Sequence, residues 1–425
     1  MTSIAVIGAG ITGVTTAYKL RSLGFDVTVF DRQAHAAMET SFANGGQLSA
    51  SNAEVWNHPS TFLKGLKWML RKDAPLLVHP APSWHKLTWM AEFVAAARNY
   101  RENTVKTVRL AIAAREHLVG MAEAEGVDFD LETRGILHVY ETPAEFEHGL
   151  KVNALLAEGG LDRRAVSPEE IRTIEPALAG RFHGGFFTQS DFTGDIHKYT
   201  VGLARAAEGR GVRFVYDASV ERLNHTGSGV DVSFAVDGVE ARESFDATVV
   251  CAGTQSRRFA AQLGDRVNIY PVKGYSVTVQ LTDEESRAAA PWVSLLDDKA
   301  KIVTSRLGAD RLRVAGTAEF AGENRDIRMA RIEPLTAWVR HRFPGVATHS
   351  VVPWAGLRPM MPNMLPRVGA GSKAGVFYNT GHGHLGWTLS GMTAELVAAE
   401  IAGSMRKSVK PAAQRLTGAA IPHHA

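Results

Sequence analysis

Residues 4–31 constrain this chain more tightly than any other stretch. Ile4-Ala5-Val6-Ile7 is a continuous apolar run, as a parallel strand buried on both faces requires. It leads directly into Gly8-Ala9-Gly10-Ile11-Thr12-Gly13, and Val14 to Leu20 continues as a helix that stops near Gly24. Phe25 to Phe30 reads as a second strand, ending on Asp31 and Arg32. Strand, glycine turn, helix, strand and acid in that order form a dinucleotide-binding βαβ unit. Gly8 permits the tight turn, Gly10 lets a pyrophosphate approach bare backbone, and Gly13 lets the helix pack on the sheet. The free N–H groups and positive dipole end of the helix face the phosphates. Asp31 is placed to accept hydrogen bonds from a ribose, which argues against a 2′-phosphate and so against NADP. The pattern alone leaves NAD and FAD both open.

The 425 residues are enough for two domains. Lys+Arg 47 against Asp+Glu 44 leaves a net charge of +3, too balanced to suggest nucleic-acid binding. The one cysteine, Cys251, excludes an intramolecular disulfide and fits a reducing cytoplasm. Met1-Thr2-Ser3 runs straight into the first strand, so no secretory signal is expected. No apolar run reaches the roughly 18–20 residues of a membrane span.

Downstream, helices are expected over Thr88–Ala97, Thr107–Ala124, Pro143–Glu158, from Ser167, over His197–Gly209, about 326–342, and from near Trp387 to Ile401. Strands are expected over Gly135–Tyr140, Val212–Tyr216, Val230–Val236 and Ala247–Cys251, and within about 267–280 and 301–318. The fold class is α/β: a Rossmann-like domain interrupted by a substrate domain of mixed sheet plus helices. The expected boundaries are 1–84, 193–266 and 351–425 for the dinucleotide domain, and 85–192 and 267–350 for the insert.

Five ordered segments carry a resemblance. Ser41-Phe42-Ala43-Asn44-Gly45-Gly46-Gln47-Leu48, Thr193–Thr200, Pro271-Val272-Lys273-Gly274-Tyr275-Ser276, Trp354-Ala355-Gly356-Leu357-Arg358-Pro359-Met360 and Gly381-His382-Gly383-His384-Leu385-Gly386-Trp387-Thr388 all match one pattern. Together they resemble the glycine oxidase/D-amino-acid oxidase superfamily, and most closely its bacterial D-amino-acid dehydrogenases. The resemblance implies non-covalent FAD. It also implies oxidative deamination of a D-amino acid or cyclic imino acid, by hydride transfer from Cα to flavin N5. The 41–48 segment and the 381–388 loop would lie along the flavin, with Gly356 nearby. Cys251-Ala252-Gly253 would end a second flavin-contacting strand, with Cys251 a buried apolar residue. Val220 would offer backbone to adenine. Ile196, Tyr199 and His384 depart from the pattern, and His384 leaves the substrate side chain open. Glycine/sarcosine-type or hydroxyproline-type oxidation, or a non-catalytic flavoprotein subunit, are the alternatives.

Arg358 is the first candidate for the substrate carboxylate, because a guanidinium recognises it bidentately. It is read here as part of a rigid turn between Trp354 and Pro359. His384 could accept a proton from the amine, or simply bond backbone carbonyls. His382 is expected to contact backbone or flavin. Tyr275 could reach over the substrate or pack in the core, and Lys273 could lie near the flavin or in solvent. The helix start at Leu385–Thr388 would stabilise negative charge on reduced flavin. The electron acceptor would be a quinone, another carrier or O2. The Trp-rich stretch Trp56–Trp89, including Trp68-Met69-Leu70-Arg71-Lys72, is either substrate-domain packing or a peripheral membrane contact on the cytoplasmic face.

Overall fold

The computed structural model describes residues 1–58, 76–79 and 83–409. Two sheets organise it. The first has six strands in the order Arg367–Ala370, Val376–Thr380, Ala247–Val250, Ser3–Ile7, Asp26–Phe30, Arg213–Val215. All pairings are parallel except that of the outer strand Arg367–Ala370. Ile4, Ala5 and Val6 are fully buried at its centre, as the apolar run requires.

Helices Ile11–Ser22, Tyr100–Glu125, Ile196–Gly209 and Gly386–Val409 pack together on one side of this sheet. The meander Ala218–His225, Val230–Val236, Val239–Phe245 contributes to the core of the other. This is the Rossmann-like arrangement the sequence predicts.

The second sheet has nine strands and is mixed. Its path runs Val351–Met360, Tyr270–Gln280, Arg311–Phe320, Ile302–Leu307, Ser294–Asp297, Ile136–Tyr140, Gly184–Thr188, Arg164–Val166, and Leu76–Val78 joins Arg311–Phe320. Helix Met329–Arg342 covers one face, burying Ile332, Leu335 and Val339 against Val277, Val279 and Val314. Helices Pro143–Glu158 and Pro168–Ile174 each begin with proline and a complete capping box, from Thr142 with Glu145 and from Ser167 with Glu170.

The structure redraws three expectations. Trp354–Met360 is not a turn: it belongs to the outer strand Val351–Met360, paired over ten positions with Tyr270–Val279. Pro353, Gly356 and Pro359 read as turn residues, but an outer strand has an unpaired edge on which proline costs no ladder bond. That strand and Leu76–Val78 extend the substrate sheet past the boundaries at 351 and 84. Helix Tyr100–Glu125, expected in the insert, packs on Gly386–Val409 of the dinucleotide domain. Much of Trp56–Trp89, including residues 68–72, lies outside the described residues. Among the described residues no helix is long and apolar enough to cross a membrane.

Candidate active site

A cleft of about 670 Å³ runs between the two sheets. Its dinucleotide end is built by the glycine turn. Gly8 has φ +108° and its missing Cβ would lie 2.7 Å from the Cys251 carbonyl oxygen. A Cβ on Gly13 would lie 1.8 Å from the Gly8 carbonyl oxygen, so this glycine seats helix Ile11–Ser22 on the strand. Gly10 is different: among the described residues the only atom a Cβ would meet within 4 Å is Ser41 Oγ, at 3.5 Å. Its backbone is bare toward the cleft, which Gly8, Gly10, Ile11 and Thr12 line. Ala9 N–H donates to Asp31 Oδ2 at 2.6 Å, and Gln33 N–H donates to Asp31 Oδ1 at 2.9 Å. Asp31 therefore closes the turn onto the second strand. Burial raises its carboxyl pKa, and these two N–H groups oppose that. Arg32 lies beside it, donating to Glu39 at 2.7 Å.

The 41–48 segment is clamped between the sheets. Ser41 Oγ accepts from Ile11 N–H at 3.0 Å. Ser276 Oγ donates to the Ala43 carbonyl and Ser305 Oγ to the Gly45 carbonyl, both at 2.7 Å. Asn44 Oδ1 accepts from Gly46 N–H at 2.9 Å. Gln47 Nε2 reaches Ser294 Oγ at 2.8 Å. A Cβ on Gly45 would meet Val303 at 2.7 Å, and one on Gly46 would meet Ser305 at 2.8 Å.

At the far end, Gly381 and Gly383 take positive φ, followed by one turn of tight helix over Gly383–Leu385 and helix Gly386–Val409. This start agrees with the expected one. It aims free N–H groups and a positive dipole end at the cleft. Thr388 Oγ accepts from Ser49 N–H at 3.2 Å, holding the helix to the 41–48 segment.

Arg358 enters the same cleft from the outer strand of the substrate sheet. Its guanidinium occupies the space over Gly274, where a Cβ would lie 2.3 Å from Nη1. Nη1 donates to the Thr317 carbonyl at 3.0 Å, and among the described residues the side chain makes no ion pair. Burial alone pushes its pKa down to about 10, which leaves it charged at neutral pH. A desolvated cation without an anion is costly until a carboxylate arrives.

A family model described as FAD dependent oxidoreductase (DAO) matches residues 3–400. The chain belongs to this family. D-amino acid dehydrogenase 3 of Mesorhizobium japonicum is 63% identical, over 95% of this chain and 97% of that protein. A D-amino acid dehydrogenase of Paramagnetospirillum magneticum is 41% identical, over 94% and 95%. The fold matches glycine oxidase from Geobacillus kaustophilus with a TM-score of 0.73 at 20% identity, covering 95% of each chain. L-proline dehydrogenase from P. horikoshii also gives 0.73, at 16% identity, covering 95% of this chain and 93% of that one.

FAD is the cofactor of the family, and the cleft suits it. The lining is continuous from the glycine turn through 41–47 to 381–388, and the bare backbone at Gly10 leaves room where a pyrophosphate must come close.

The other candidates divide. His384 lies in the cleft with Nε2 3.2 Å from the Asn52 carbonyl, so Nε2 carries the proton. Its Nδ1 is buried without a partner among the described residues. Burial, the largest cause, and nearby Arg358 push its pKa down to about 4, so the ring is neutral. His382 is tied to Thr393 Oγ at 3.0 Å, and burial takes it down to about 3. Cys251 is buried as expected, with its thiol pushed up to about 12. Val220 lines the cleft, and its carbonyl accepts from Arg258 at 2.7 Å. Leu385 and Trp387 line the cleft while their side chains pack in the core, and Leu48 packs in the core.

Tyr275 borders the cleft, but its hydroxyl is turned away from it. Strand alternation turns Gly274 and Ser276 toward the cleft and Lys273 and Tyr275 to the opposite face. There the Tyr275 hydroxyl donates to Glu319 Oε2 at 2.8 Å. Lys273 is neither at the flavin nor in solvent. It is fully buried, 2.8 Å from Asn324 Oδ1 and 3.8 Å from Glu319. Tyr275→Phe should therefore cost about 1–3 kcal/mol of stability by removing a donor from a buried carboxylate. It should leave kcat/KM within about 2-fold of wild type. Thermal melts and steady-state kinetics check both; a large kcat loss at unchanged stability would restore Tyr275 to the reaction.

Several cleft residues went unassigned in the sequence, among them Glu54, Trp56 and Arg325. Glu54 and Trp56 line it near His384, whose ring stacks on Trp56 at 4.6 Å. Arg325 reaches Glu39 at 2.5 Å from the substrate side. Among the described residues no cluster of His, Cys, Asp and Glu could hold a metal ion.

Proposed function

We propose that this protein is an FAD-dependent D-amino-acid dehydrogenase that oxidatively deaminates a D-amino or cyclic imino acid to the 2-oxo acid or cyclic imine. The observation that carries the reading is Arg358, a buried cation without a counter-ion in the flavin cleft. The 63% identity to D-amino acid dehydrogenase 3 supports the same substrate class.

Held by the glycine turn, the 41–48 segment and the 381–388 loop, FAD would supply the two-electron acceptor for the substrate Cα–H. The protein's own task is alignment. Arg358 holds the carboxylate and so fixes Cα. His384 Nδ1, the free acceptor of a neutral ring, takes a hydrogen bond from the amine and orients it. Once the carboxylate offsets the Arg358 charge, one of the causes that weaken this histidine as a base is removed. The helix start at Gly386 favours electron density arriving on the flavin. The electron acceptor in this reading is a quinone, another carrier or O2, and the dehydrogenase names of the relatives do not choose among them.

The test is anaerobic mixing of the yellow holoprotein with D- and L-amino acids, proline derivatives and sarcosine. Flavin absorbance near 450 nm should bleach with D-amino or imino acids and persist with the L-enantiomers. Persistence with every compound would make the protein a non-catalytic flavoprotein.

A further inference from the structure

The chain that follows the flavin-lining segment builds a second wall of the cleft. From Ser51 to His58 burial alternates residue by residue: Ser51, Ala53, Val55 and Asn57 are buried, and Asn52, Glu54, Trp56 and His58 are half-buried. The second set lines the cleft. The segment is irregular, with a turn at Ser51–Asn52 and a bend at Trp56, yet it brings these four residues to the cleft. It is anchored at both ends of its Glu54–Trp56 step. Trp56 stacks on His384, and the Glu54 carboxylate accepts from the Tyr100 hydroxyl at 2.6 Å.

Charge completes the description. Asp298 and Lys301 line the same cavity, but they pair with each other at 2.6 Å. Glu39 pairs with Arg32 and Arg325, and Glu221 and Arg258 lie along the strand Ala218–His225; beside Gly274 and the 52–58 wall this leaves Arg358 positive and Glu54 negative. Among the described residues, neither makes an ion pair. Nor do they neutralise each other: no carboxylate offsets the burial of Arg358, while Glu54 acts on Tyr100 and Lys301. One cavity thus holds a cation and an anion set apart. A ligand that satisfies both carries a carboxylate at one end and a hydrogen-bond donor at the other.

We propose that Glu54 is a specificity-determining residue that accepts a hydrogen bond from an N–H or O–H group at the distal end of the substrate. The preferred substrates are then D-amino or imino acids with an ammonium, guanidinium or hydroxyl on the side chain, over purely aliphatic ones. The inference rests on Arg358 holding the α-carboxylate.

The test compares matched pairs on the wild-type holoenzyme and on Glu54→Gln and Glu54→Leu: D-lysine with D-norleucine, and cis-4-hydroxy-D-proline with D-proline. Wild type should prefer the donor-bearing member of at least one pair by about 10-fold or more in kcat/KM. Glu54→Leu should collapse that ratio toward one. Glu54→Gln separates the sources: it should erase a preference for the cation, whose partner is the charge, and keep most of a preference for the hydroxyl. Far-ultraviolet circular dichroism and flavin content confirm that each variant is folded and loaded. A wild-type ratio near one in both pairs overturns the proposal. So does an equal fall for both members of a pair in Glu54→Leu, which would put Glu54 at the α-amine. If no amino or imino acid bleaches the wild-type flavin, it is the dehydrogenase reading that fails, and the ratios are not reached.

Discussion

Arg358→Ala should lower kcat/KM for every carboxylate substrate by roughly 30- to 5,000-fold, the equivalent of about 2–5 kcal/mol for removing one partner of a buried charge pair. Most of the loss should fall on KM, because the guanidinium grips a group that keeps its charge through the reaction. FAD content should not change, since Arg358 sits on the substrate sheet and the glycine turn is on the other. Arg358→Lys should recover only a fraction. Gly274 leaves a flat space shaped to a planar fork, and an ammonium on a flexible stem neither fills it nor bonds bidentately. The protonation argument adds a direction with pH. Burial lowers the free guanidinium to about 10, so carboxylate binding should weaken as pH rises through that value and stay flat below it. Stopped-flow flavin reduction against substrate concentration measures these effects. An Arg358→Ala enzyme with wild-type KM would remove the carboxylate site and, with it, the functional reading.

The dinucleotide half was legible because its physics is local. A buried strand, a turn needing three glycines and a helix start lie within ten residues, and each leaves a mark on residue type. The caps at Thr142 and Ser167 are legible for the same reason. The substrate half was harder, because its pairings are distant. Arg358 faces Val272, 86 positions away, and its strand was read as a turn because Pro353, Gly356 and Pro359 are turn residues in any local reading. Only its place at the sheet's edge makes those prolines acceptable. Tyr275 failed for a parity reason: one residue earlier or later on the same strand faces the cleft. The alternate burial along 51–58 left no mark on residue type, since polar Ser51 and Asn57 are buried and Trp56 is half-buried, so Glu54 could not be picked out locally.

Gly10 and Gly13 should fail differently when each is replaced by valine, and the contrast isolates the cofactor site. At Gly13 the new Cβ would lie 1.8 Å from the Gly8 carbonyl oxygen, which is backbone of the buried turn that ends the central strand and cannot yield. Gly13→Val should be insoluble or melt far below wild type. At Gly10 the only neighbour among the described residues is the Ser41 hydroxyl, at 3.5 Å, and the rest of the space opens on the cleft. The valine methyl groups would stand where bare backbone and the first N–H groups of helix Ile11–Ser22 meet a pyrophosphate. Gly10→Val should therefore fold, give a wild-type circular dichroism spectrum, and purify colourless. Added FAD should bind at least 100-fold more weakly, because the phosphates lose their helix-terminus contacts altogether. Flavin absorbance per mole of protein and fluorescence titration of the apoprotein measure this. A folded, fully yellow Gly10→Val protein would mean that the pyrophosphate lies elsewhere. An unfolded one would mean that Gly10, like Gly13, serves packing, and the comparison with Gly13→Val tells the two outcomes apart.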